Sequence, residues 1–205
     1  MIPLRDVIPS PTPPRVTILL LATHALVFLG MSLVGEDRAP EILRQNAAGV
    51  DGRWCLAAAG SLFLHATGLT LAIDLGALWL FGENVEDRFG HARFLASYVT
   101  VGMLAALAGA LVTPGGWPWG ASGATAGVLA AYLRLFPTSR ILAAVPTGLP
   151  GLAELPASAL AAAWFLLQIA TGTPAVTLLT GAAAGVLAAR LLPRPERMRV
   201  EWWGK

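Results

Sequence analysis

Cysteine is almost absent from this chain, lysine likewise, and charge of either sign is scarce. The one cysteine, Cys55, excludes an intrachain disulfide and any cysteine-based metal site. It reads as a small buried apolar side chain. Charged residues make up 13% of the 205 residues, about half of what a soluble domain carries, while 56% are hydrophobic. That balance points to a membrane protein, and the length suits one compact bundle. A net charge of +2, with no basic run interleaved with aromatics, excludes nucleic acid as an expected partner. The only lysine is Lys205, at the C-terminus, so a Ser-Lys dyad is excluded. Histidine is equally sparse: His24, His65 and His91, and none after His91.

What is present is a series of apolar runs. The proline-rich lead-in MIPLRDVIPSPTPPR should be irregular. Val16 to Val34 follows, uncharged, longer than the roughly 7–15 residues of a signal-peptide core and without an A-x-A cleavage site, so it reads as a retained first span. A polar loop, GEDRAPEILRQNAAGVDGR, leads to WCLAAAGSLFLHA, which is apolar but short and reads as re-entrant or as a lead-in. Five further spans are expected at about Thr67–Gly82, Phe94–Val112, Ala121–Phe136, Leu155–Ala170 and Val176–Leu192. Several fall short of the roughly 20 residues of a lipid-facing helix, as in a bundle that thins the bilayer or holds water near its centre. The domain division is therefore 1–15 as a tail, 16–192 as the membrane domain and 193–205 as a second tail.

Charge sets the orientation. With six spans, eleven of the fourteen cationic residues fall on the side of the two tails, including Arg88, Arg93, Arg134 and Arg140 in the loops. Arg38, Arg44 and Arg53 oppose them, beside four acids. The positive-inside rule places both termini in the cytoplasm. Trp117 and Trp119, and Trp202 and Trp203, suit an interfacial aromatic belt, while Trp54 and Trp79 suit a belt or the interior. The ENVEDR turn should cap helix ends and pair locally.

One stretch carries chemistry: GASGATAGVLAAYL, residues 120–133. Ser122 is a poor nucleophile until a base takes its proton. Gly120, Gly123 and Gly127 surround it, and Gly181 and Gly185 form a G-x-x-x-G in the last span, spacing that lets helices approach closely in lipid.

Together, GASGATAGVLAAYLRLFP, FLHATGLTLAIDLGALWLFGENVEDRFGHARF and TGAAAGVLAARLL resemble the nucleophile segment, the second span with its turn, and the sixth span of the rhomboid family of intramembrane serine proteases. The resemblance runs in order from Val16 to Leu192. It implies an all-α, six-span bundle whose serine attacks a peptide bond within a substrate's transmembrane segment. It further implies a histidine base on the sixth span, and a histidine and an asparagine on the second span that hold the oxyanion. No cofactor or metal is implied.

The chain departs from that pattern where the chemistry sits. The family's H-x-x-G-x-x-x-G places its base at Leu178, or at Ala182 if the frame shifts by a turn, and neither accepts a proton. The second-span pair falls on Thr70 and Asp74. Of the three histidines, His24 lies on a span that does not line the resembled site, His91 lies on the cytoplasmic side, and His65 takes a place that looks structural in the family. Asp74 is a carboxyl group within an apolar span, which marks it for function or for packing. When protonated it can donate a hydrogen bond, as an asparagine would; when ionised it would repel an oxyanion. Losing the base of such a dyad costs on the order of 10⁶ in kcat in a soluble serine protease. Losing one oxyanion donor costs about 10²–10³. Efficient proteolysis is therefore not expected, and a helical serine can equally bond a backbone carbonyl.

Three readings stay open. The leading one is a pseudoprotease that binds transmembrane segments of client proteins and leaves them uncut. The others are an active serine endopeptidase with an atypical base, starting with Asp74 and His65, and a membrane scaffold or conduit using Thr70 and Asp74. A bacterial inner membrane fits the minimal six-span form.

Overall fold

The computed structural model describes residues 2–6, 12–34, 58–112, 120–146 and 150–192. Cys55, Trp54, Trp117, Trp119, Trp202, Trp203, the first polar loop and the C-terminal tail lie outside them. Each expected apolar span contains one helix: α1 (Arg15–Val34), α2 (Gly68–Phe89), α3 (His91–Val112), α4 (Ser122–Leu135), α5 (Ala157–Ala170) and α6 (Ala175–Leu191). A helical turn at 58–61 precedes α2. Among the described residues, α1 and α3 are the two helices long and apolar enough to cross a membrane, while α5 and α6 are apolar but shorter.

Two departures from the sequence reading have clear causes. The ENVEDRF stretch, expected as a loop, continues α2 as helix to Phe89, because Asn84, Val85, Glu86 and Phe89 turn inward and bury there. The reversal into α3 is made at Gly90, whose φ of +80° suits a residue without a Cβ. The lead-in, expected to be irregular, supplies β1 (Ile2–Asp6), which joins β2 (Arg140–Pro146) and β3 (Pro150–Pro156) in an antiparallel sheet of order β1-β2-β3. Proline is compatible with an edge strand, and the register shifts between Pro3 and Arg5. The sheet is a small addition to an otherwise helical bundle.

The end of the bundle where α1 begins is pinned by Glu86. Its buried carboxylate accepts from the α1 amides of Val16 (2.8 Å) and Thr17 (2.7 Å) and from the Thr17 hydroxyl (2.7 Å). His91 Nδ1 is a further partner. A carboxylate at a helix N-terminus satisfies amides that have no intrahelical acceptor and complements the helix dipole. The ENVEDR segment thus caps a helix as expected, but the helix is α1.

The bundle exposes leucines on its surface and buries a few polar side chains within an apolar core. Leu26, Leu33, Leu111, Leu166, Leu179 and Leu191 are exposed, whereas His24, Asp74, Ser122, Thr125, Gln168 and Thr177 are buried. In a membrane, that distribution turns the polar groups toward the bundle interior.

Candidate active site

Ser122 is the first residue of α4 and is buried. The chain reaches it through Gly120, whose φ is +109° and whose amide donates to the Ser61 carbonyl at 3.0 Å. From there α4 runs against α6 with almost no side-chain spacing. A Cβ on Gly181 would stand 2.0 Å from the Gly123 carbonyl oxygen, and one on Gly185 would stand 2.1 Å from that of Gly127. All four glycines serve this seam. On the opposite side, a Cβ on Gly123 would meet that of Ala105 on α3 at 2.3 Å.

The Ser122 hydroxyl has two hydrogen-bond partners, Asp74 Oδ2 on α2 and Gln168 Oε1 on α5, both at 3.0 Å. It has one proton, so it serves one acceptor at a time. Gln168 Nε2 donates to Asp74 Oδ1 at 2.7 Å, which closes a three-membered ring of side chains from three helices. Thr173 Oγ1 donates to Gln168 Oε1 at 2.9 Å. Behind Asp74 stands His65, its Nε2 3.3 Å from Asp74 Oδ2, with both side chains almost wholly buried. His65 in turn packs edge-on against His24 at a centroid distance of 5.3 Å, and His24 Nε2 bonds the Tyr98 hydroxyl at 2.9 Å.

The residues singled out from the sequence divide in two. Ser122, Asp74 and His65 converge. Thr70 does not join them: it is the third residue of α2, where its hydroxyl donates to the Thr67 carbonyl at 2.8 Å and shares a reciprocal capping box with Thr67. Leu178 is buried on α6, one turn before Gly181. His91 belongs to the Glu86 cluster at the start of α1. Gln168 was missing from the sequence reading, which weighed ionisable groups and motif places only. The signal was there: a carboxamide inside the apolar run AWFLLQIA. Its place follows from the single buried stripe of α5, Ala157, Ala161, Trp164 and Gln168. Trp164 adds the other α5 tie to α2, its indole N–H donating to the Ile73 carbonyl at 3.2 Å.

This arrangement can present a hydroxyl, an acceptor and a donor to a polar group at one point inside an apolar bundle. A hydroxyl bonded to a carboxyl group, with an imidazole behind that carboxyl, inverts the usual order in which the imidazole contacts the serine.

A family model, the rhomboid domain, matches residues 53–195, most of the chain. Among curated proteins the chain is similar to rhomboid protease GluP of Bacillus subtilis, 31% identical over 133 residues. The match covers 62% of this chain but only 26% of that protein, so the chain spans about a quarter of its relative's length. The serine at the head of α4, the glycine seam behind it and the family match agree: this membrane protein belongs to the rhomboid family of intramembrane serine proteases.

Proposed function

We propose that this protein is a rhomboid pseudoprotease: it admits transmembrane segments of client proteins laterally, between α2 and α5, holds them at Ser122 and releases them uncut. The observation that carries this reading is Leu178, an apolar buried residue at the place of the family's histidine base. A general base must stand within about 3 Å of the proton it takes, or reach it through one water. The Ser122 hydroxyl is engaged instead by Asp74 and Gln168. The same reading takes all six helices as spans of a bacterial inner membrane, with both termini cytoplasmic, in keeping with the arginine bias of the loops. No cofactor enters it.

The test is cleavage of a generic transmembrane substrate in liposomes by wild type, Ser122→Ala and Leu178→His. Wild type and Ser122→Ala should be indistinguishable. Cleavage by wild type that Ser122→Ala abolishes sinks the proposal.

One observation favours a second reading, the 3.0 Å contact between Ser122 and Asp74. In that reading Asp74 takes the Ser122 proton as Oγ attacks the scissile carbonyl, then gives it to the leaving amine, and water hydrolyses the acyl-serine. His65 would orient Asp74. Any Ser122-dependent cleavage should then also vanish in Asp74→Asn.

A further inference from the structure

The Gln168 side chain lies across Ser122 and Asp74 in a particular way. Its oxygen accepts from the Ser122 hydroxyl at 3.0 Å and from Thr173 at 2.9 Å, while its nitrogen donates to Asp74 Oδ1 at 2.7 Å. A carboxamide has the polar groups of a peptide unit, one carbonyl and an N–H, so both faces of that unit are read at once. The residue doing this stands near the outer end of α5, a helix of 14 residues that packs through one narrow stripe and leaves Leu166, Leu167 and Ile169 exposed.

We propose that Gln168 is an internal occupant of an amide-binding site, and that the client which displaces it is a transmembrane helix carrying an asparagine or glutamine. The proposal rests on the client-binding reading above and names the client's chemistry. The backbone amides of a membrane helix are consumed by its own hydrogen bonds, so the free amide such a helix offers is a side-chain carboxamide. A client lysine or arginine would pair with Asp74 but give Ser122 and Thr173 no acceptor. A client carboxylate would face Asp74. An aliphatic side chain that displaced Gln168 would leave Asp74 Oδ1 without its amide donor and Thr173 without its acceptor, while Ser122 stays bonded to Asp74 Oδ2, and that loss discriminates against it. A client carboxamide restores the bonds to Asp74 and Thr173, while the displaced Gln168 side chain gives up its own.

The probe is a labelled leucine–alanine transmembrane peptide with a single central glutamine, beside the same peptide with leucine there. Both are titrated against the full-length protein in phospholipid vesicles. Wild type should bind the glutamine peptide about threefold to tenfold more tightly, the range of one interhelical hydrogen bond in a membrane. Gln168→Leu removes the internal competitor and should widen that preference. A direct readout uses wild type alone. The chain has two glutamines, Gln45 and Gln168, so selective ¹⁵N labelling resolves the Gln168 side-chain amide. That signal should shift on adding the glutamine peptide and stay put with the leucine peptide. Equal affinity for both peptides, or a Gln168 signal that ignores the glutamine peptide, overturns the amide site while leaving client binding intact. If neither peptide binds, the client-binding reading itself is overturned.

Discussion

Two seams meet at Ser122, and they are held by opposite means. Between α4 and α6 the backbones touch: Gly123 and Gly127 carbonyls lie where the Cβ atoms of Gly181 and Gly185 would be. Between α2 and α5 the backbones stand apart, tied by the side chains of Asp74, Gln168 and Trp164. The first contact is steric and admits no substitute. The second is a set of hydrogen bonds, each replaceable by any group with the same donors and acceptors. Ser122 stands at the head of the first seam and draws its hydrogen bonds from the second. A backbone-to-backbone fit tolerates almost no substitution, whereas a polar cluster tolerates several.

The comparison breaks most severely at Gly181. Gly181→Leu drives a side chain into the Gly123 carbonyl and should cost about 4 kcal/mol or more, read as loss of the folded bundle in detergent unfolding. If the variant stays folded with near-native stability, the seam is not close-packed. Glu86→Ala comes next. It strips the acceptor from two α1 amides and a hydroxyl inside the protein, at about 3 kcal/mol. A small loss there would mean that water reaches the end of α1. Gln168→Leu tests the polar seam and should cost only about 1 kcal/mol. Amide exchange should quicken in α5 and leave α4 and α6 unchanged; uniform quickening would show that the two seams are not independent. The smallest effect belongs to Thr70→Ala, about 0.5 kcal/mol for a weakened capping box, with the bonds of Ser122 to Asp74 and Gln168 untouched.

The same contrast explains what could be read from the sequence. Glycine spacing and the apolar runs are local signals, so the helix order and the glycines of the α4–α6 contact were legible. Asp74 stood out because a carboxyl group in an apolar run is costly and few residues compete for notice. Gln168 did not, since a neutral amide in an apolar helix has no counterpart in the family's motif and its partners are 46 and 94 positions away. The motif assigned Thr70 and Asp74 to one pair, yet one turn of helix separates a capping residue from a buried one. His65 looked structural by its place; its position behind Asp74 depends on the turn between 61 and 67, which no periodicity announces. The extension of α2 to Phe89 was hidden by charge: ENVEDR reads as a loop until Glu86 finds its acceptor role at the end of α1.

That last contact has a consequence for biosynthesis. The first helix of the bundle receives its N-terminal acceptor from a residue 70 positions later in the chain. While the ribosome is still making the second helix, the leading amides of the first have no protein partner and must rely on water or lipid headgroups. The cap arrives with the second helix. The start of α1 is therefore fully capped only once the end of α2 lies beside it, and the two helices complete each other as a pair.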